Sequence, residues 1–321
     1  MAQRYRREIS VAVAIVLICV LMAMTAPGFF SVENQTDLVL ANIPVLIIAI
    51  GMTLVILTGH IDISVGSMFA ICSVASGVFA RMGLPVIAAG LMACIAGGLL
   101  GAINGALVAA VRIPAIVVTL ATMVALRDAL RWTTQGAWIQ DLPAGFQWFG
   151  LSQNASAFVT TAVAVTLLVL AGWALRNLAA GRAVYATGSD VNAARLAGIP
   201  VPGVTFWVFV ITGILTGCAA VLNSVRFNQI PSNAGMGLEM KVVAAVVVGG
   251  TAITGGRGTV LGTAFGVVLL GMVGPALTFL GISAYWERAL QGTIILVAVA
   301  MDSARLRTRS HASNAAAATR S

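Results

Sequence analysis

Few residues in this chain could do chemistry. Asp62, Arg127, Asp128, Arg131, Glu239, Lys241, Glu287, Arg288 and Asp302 all lie within or beside long apolar stretches. A carboxylate in mid-membrane could relay a proton or hold sodium, whereas a charge at a helix end serves as an interfacial anchor. All nine sit near the ends of their apolar runs. The pattern therefore speaks against an ion-coupled transporter, although polar side chains and carbonyls could still bind sodium. His60 and His311 are too few for a His-based zinc site. Cys19, Cys72, Cys94 and Cys218 fall inside apolar runs without a C-x-x-C spacing, and read as small packing residues rather than disulfides. No G-x-x-x-x-G-K-S/T loop precedes Lys241 or occurs elsewhere, so the usual phosphate cradle for ATP is missing. No catalytic constellation, metal or cofactor is expected.

Four polar stretches remain as candidate sites. Thr58–Ser67, T-G-H-I-D-I-S-V-G-S, links two apolar runs. Asp62 or Ser64 can cap the helix that follows and face its positive end, so Gly59, Asp62, Ser64 and Gly66 form a turn with the makings of a gate. Gly181–Ile199 offers Ser189 or Asp190 as a helix cap, and Gly198 with Pro200 as a stop. Between them Ala193, Leu196 and Ala197 share one face. A short helix of this kind, held outside the bilayer, suits insertion into a groove on another protein. Gly255–Gly258 is a lone glycine turn. Trp132, Trp138, Phe146, Trp148 and Phe149 crowd one loop and suit interfacial anchoring or the docking of an external partner.

The elements that position these residues are membrane spans. Of 321 residues, 60% are apolar and only 9% charged, at a mean hydropathy of +1.01. A soluble domain carries about 25% charged residues, so a soluble enzyme is excluded. The net charge of +8 would suggest nucleic acid in a soluble protein, but here the basic residues flank apolar runs and report topology. The runs are 9–26, 38–58, 62–82, 84–111, 114–131, 157–175, 204–224, 238–254, 259–280 and 287–302. Each predicts a helix, because lipid offers backbone groups no partners. The first run follows Arg4, Arg6 and Arg7, as a secretory signal would, but is near spanning length and is read as a retained helix. The expectation is an all-α, polytopic membrane protein with about ten helices and a single domain over 1–302.

An even count places both termini on one side. With that side inside, cytoplasmic segments hold 12 of the 18 basic residues, which predicts cytoplasmic termini. Residues 132–156, free of Lys and Arg, are then external, and 176–203, with Arg176, Arg182 and Arg195, are internal. The Ala-, Ser- and Arg-rich tail 303–321 is expected to be disordered. A weak repeat at an offset of 196 lays Thr58-Gly59 over Thr254-Gly255 and Gly66–Ala70 over Gly262–Gly266. It overlays helices one to four on helices seven to ten, as a parallel repeat.

At these residues the chain resembles the permease subunits of ATP-binding-cassette sugar importers of the ribose/xylose type, which include rhamnose and autoinducer-2 permeases. Gly59–Ser67 is close to that family's G-G-I-D-I/L-S-V-G-S, with His60 in place of a common Gly. Ala186–Ile199 is similar to its A-x-G-x-N/D-x-x-A-A-x-x-S/A-G-I/V. Val247–Thr251 and Gly255–Gly258, within Glu239–Gly266, and Tyr285–Gly292 recur in the family's order. The resemblance implies a pore of two such subunits, identical or paired, a separate cytoplasmic ATPase, and a periplasmic sugar-binding protein, in a bacterial inner membrane. It implies no enzymatic activity in this chain and no nucleic acid partner. Asn192, Ala193, Ala194, Arg195 and Gly198 look like the counterpart of the E-A-A-x-x-x-G coupling loop, with Asn192 where other permeases carry Glu. The expected cargo is a pentose, 6-deoxyhexose or similar monosaccharide. An autoinducer-2-type furanose, or an ion-coupled transporter acting alone, are the alternatives. No substrate-binding residue is assigned.

Overall fold

The structure, a computed structural model, describes residues 6–283 apart from Pro27, and beyond them 285–287, 289–293 and 296. These residues build an all-helical bundle: α1 (Arg6–Thr25), α2 (Val32–Leu57), α3 (Val65–Arg81), α4 (Val86–Ala109), α5 (Ala115–Thr134), α6 (Gln153–Asn177), α7 (Ala179–Ser189), α8 (Val191–Leu196), α9 (Val201–Ser224), α10 (Leu238–Val248) and α11 (Val260–Phe279). Sequence-local signals start several of them. Ser31, Ser152 and Thr259 each accept a hydrogen bond from the backbone N–H three residues on, capping α2, α6 and α11.

A helix needs about 20 apolar residues to cross the roughly 30 Å core of a bilayer. The helices α2, α4, α6, α9 and α11 meet that requirement, and Ile9–Thr25 and α3 are shorter apolar helices. α5 has the length but carries Arg127, Asp128 and Arg131. The run 238–254 was expected to span; instead α10 ends at Val248, with 11 residues, about 16 Å and half a bilayer. The helix stops there because Gly250 takes φ +95°, and the N–H groups of Gly250 and Thr251 return to the carbonyls of Val247 and Val246. The expected span 287–302 lies mostly outside the described residues; those of it that are described, 287, 289–293 and 296, are helical. The tail 303–321 lies wholly outside them.

α2 is the buried axis, covered along most of its length from Leu40 to Leu57. The most extensive interface joins α4 to α9. It is made of small residues, which let backbones approach in the absence of a hydrophobic drive between helices. A methyl on Gly217 would lie 2.7 Å from the Ala93 carbonyl, and Gly97 and Gly213 leave each other no room for a side chain. α1 stands to one side, where Met22, Ala26 and Phe29 pack on Met272 and Ala276 of α11. At an offset of 196, α1 overlays α9 and α3 overlays α11, but the counterpart of the 26-residue α2 is the 11-residue α10. The repeat is therefore one of order and not of length.

Candidate coupling face and buried polar junction

Three of the four motifs meet where α2 ends. The Leu57 carbonyl accepts a hydrogen bond of 2.9 Å from the Gly256 N–H. Gly188 of α7 packs so closely on that carbonyl that it has no space for a side chain. The Tyr185 hydroxyl donates to the Gly258 carbonyl at 2.9 Å, and Ala252 N–H donates to Arg257 C=O at 2.8 Å, closing the glycine turn on itself. Gly59 and Gly255 take φ of +81° and +88° and sit against one another. Their left-handed backbone lets both chain reversals fit at one point. Gly255–Gly258 thus works as a structural clasp among α2, α7 and the 58–64 segment.

α8 projects from this platform. Asp190 Oδ1 accepts from the N–H groups of Asn192 and Ala193 at 2.8 and 3.0 Å, so the acid, and not Ser189, is the cap. Gly198 takes φ +78° and Ile199 N–H returns to the Ala194 carbonyl, terminating the helix as its glycine and proline foretold. Asn192, Ala193, Arg195, Ala197 and Gly198 are exposed, and Leu196 is 90% exposed. Ala194 is different. At 3% exposure it is buried against the chain's own body and offers no side chain to a partner.

The polar side chains of the 58–64 turn point inward: Thr58, Asp62 and Ser64 are buried, while Gly59 is exposed. Asp62 is 0% exposed and Ser64 is fully buried. Ser64 has helix-like backbone and caps nothing. Asp62 Oδ1 instead accepts from Ser64 N–H (2.9 Å) and Ser64 Oγ (2.6 Å), closing the turn ahead of α3, while Asn104 Nδ2 donates to Ser64 Oγ at 2.8 Å from α4. In this turn, outside both flanking spans, burial pushes the Asp62 carboxyl up to about 6 against the pull of those hydrogen bonds. The Thr119 hydroxyl of α5 reaches the Ile61 carbonyl. Gly66, one residue into α3, lies directly under the Glu239 carboxylate of α10, and its space is further limited by the Gly235 carbonyl, 2.7 Å from where a methyl would stand. A helix-end position had suggested an interfacial role for Glu239, but this helix end meets α3 inside the bundle. Arg127 likewise lies seven residues before the end of α5, and its Nη1 donates to the Ala234 carbonyl at 2.9 Å.

Asn104, Tyr185 and Gly188 are site residues that the motifs alone do not single out. Asn104 carried the one available signal, a lone amide in the glycine-rich run G-A-I-N-G. In the aromatic loop, Phe146 is fully buried and Trp132 exposed. The loop pairs with the segment after α9 through Ile139 and Ile230, and through Trp148 N–H to Val225 C=O at 2.7 Å.

Residues 35–299 match the family described as the permease component of branched-chain amino acid transport systems. The chain belongs to this family. Relatives of this permease include the autoinducer 2 import system permease protein LsrC of Yersinia pseudotuberculosis, 34% identical over 92% of this chain and 84% of that protein. The probable ABC transporter permease protein YphD of Escherichia coli is 38% identical over 92% of this chain and 89% of its own. LsrC of an Enterobacter species is 35% identical over 92% of this chain and 86% of its own. No solved structure matches. The permease is thus a multi-pass membrane transport subunit, and its three converging motifs are one structural unit.

Proposed function

We propose that this permease is the membrane subunit of an ATP-driven importer that carries a monosaccharide across the bacterial inner membrane. The carrying observation is α8: a capped six-residue helix with Leu196 fully presented, standing on the clasp that ties α7 to the end of α2. An apolar side chain this exposed, outside any span, gains about 1.5–3 kcal/mol by entering a groove. The groove belongs to a separate cytoplasmic ATPase, since this sequence has no phosphate loop. Asn192, Ala193, Arg195 and Gly198 form the rest of the contact, with Ala194 as its internal support. The second permease subunit and a periplasmic binding protein complete the system. The 12 basic residues on the α8 side support cytoplasmic termini and an external 132–156 loop.

The autoinducer-2 permeases among the relatives support a furanose-sized cargo and keep that signal as the second reading. Gly59, Asp62, Ser64 and Gly66 belong to the gate: they shape the turn between the coupling platform and the start of α3. ATP-driven closure of the partner shifts the permease between outward- and inward-open populations. The test is reconstitution with ATPase and binding protein, measuring ATP-dependent uptake of D-ribose, D-xylose, L-rhamnose and autoinducer-2. Uptake by this chain alone, without ATPase, would overturn the proposal in favour of a secondary transporter.

A further inference from the structure

Lipid tolerates only apolar side chains along the middle of a span. The outer surface of α4 follows that rule, with Ile87, Leu91, Ile95, Leu99 and Ile103 exposed. α5 breaks it. This helix runs from the level of the 58–64 turn, where Thr119 meets Ile61, to the loop that pairs with the segment after α9. Its 20 residues cover about 30 Å, the thickness of the bilayer core. Only Ala115, Val118, Thr119 and Leu130 of it are buried. On its open side stand Val117 and Val124, and further out Asp128 and Arg131, all exposed.

Arg127 turns inward to the Ala234 carbonyl. The Asp128 carboxylate and the Arg131 guanidinium have no hydrogen bond or ion pair among the described residues. Asp128 lies six residues before Thr134, about 9 Å inside the outer end of the helix. Arg131 is nearer that end and has a long stem to reach the interface; the short side chain of Asp128 cannot. An exposed carboxylate at that depth calls for a countercharge. The two groups are of opposite sign, about 60° apart around the axis, and they flank the line through Val117 and Val124 on either side. Such a face is self-complementary about a two-fold axis along the membrane normal. Two copies inserted the same way can set α5 against α5, valines in the seam, each flanking charge opposite its counter-ion on the other copy. Ala121 and Ala125, also exposed, leave room for close approach.

We propose that the outer half of α5 is a contact between two copies of this chain, in which Asp128 of each pairs with Arg131 of the other. This rests on the two-subunit pore of the reading above and makes that pore a homodimer. The test is association of full-length chains, measured apart from sugar uptake. Two differently tagged copies are co-expressed, and capture of one through the tag of the other is quantified in lipid nanodiscs. Wild type should pair. Asp128→Arg on both copies, or Arg131→Asp on both, sets like charges face to face, and capture should fall about tenfold to a hundredfold. Asp128→Arg on one copy with Arg131→Asp on the other restores both attractive pairs across the interface while leaving like charges within each copy. Capture should then return to near the wild-type level. Capture that never falls, as a face lining an aqueous path would give, overturns the contact. So does a fall that the mixed pair does not reverse, which marks an interaction within one copy. Monomeric wild type overturns the homodimer. Should a reversal fail to fold, Val124→Cys keeps the test. Oxidation should link it into a covalent dimer, unlike wild type, which shares its four native cysteines, and unlike Val165→Cys on the exposed face of α6. Equal linking at 165, or none at 124, refutes the seam. Chains that pair as expected yet move no sugar overturn the importer reading and leave the interface standing.

Discussion

Gly188→Ala tests whether the clasp at the end of α2 is what holds the coupling helix. Position 188 is helical, so alanine there gains about 0.5–1 kcal/mol of backbone propensity. Against that, the new methyl would overlap the Leu57 carbonyl oxygen and stand 2.7 Å from Gly256 N, where ordinary contacts are 3.4–4 Å. The neighbours it meets are backbone, so they cannot swing aside as a flexible side chain would. Overpacking of this kind costs about 1–3 kcal/mol, and prising Leu57 C=O from Gly256 N–H removes a hydrogen bond worth about 0.5–1.5 kcal/mol. The clash wins, by about 2 kcal/mol net, enough to shift a local equilibrium up to about thirtyfold. The matched control is Gly172→Ala in α6, where a methyl meets nothing within 4 Å and propensity alone operates. The assays are thermal unfolding in detergent, ATPase co-purification and sugar uptake. Gly188→Ala should lose ATPase binding and uptake with a lowered melting temperature, and Gly172→Ala should match or exceed wild type. Equal behaviour of the two variants would refute the clasp.

Leu196→Ser should weaken ATPase co-purification about tenfold to a hundredfold at an unchanged melting temperature, because the side chain is 90% exposed. Ala194→Glu should instead lower the melting temperature as well, since it forces a carboxylate into a buried position; normal stability would place Ala194 outward. A cysteine at Ser152 should be labelled from outside the cell and one at Ser189 spared, both positions being exposed; labelling only at 189 reverses the orientation. Asp62 has a carboxyl raised by folding from 3.8 to about 6, so the folded state holds its proton more tightly than the unfolded chain. Stability from this group is full below about 3.8 and lost as pH rises to about 6. Thermal unfolding of Asp62→Asn should lack that decline, and a slope identical to wild type would show that Asp62 does not titrate there.

Local pattern alone was enough for much of this protein. Low charge and long apolar runs dictated an all-helical membrane chain, since a backbone in lipid must satisfy its own hydrogen bonds. The cap at Asp190 and the stop at Gly198 were legible because both act within one turn of helix. Other features depended on partners far along the chain. Hydropathy drew 238–254 as one span and passed over the local stop at Gly250, whose left-handed backbone returns Thr251 N–H to the Val246 carbonyl; what needed the tertiary structure was that the glycines beyond it fold onto Leu57 and Gly188. Ala193, Ala194 and Ala197 are chemically alike, and only packing decides that Ala194 alone turns inward. Asp62 and Asn104 meet on Ser64 across 40 residues, and Gly66 meets Glu239 across a still longer stretch. Spacing along one helix predicts which residues share a face; it carries no information on which face of a distant helix will lie against it. That choice is made by close packing of small residues in three dimensions, and it is what sets Asn104 on Ser64 and Glu239 on Gly66.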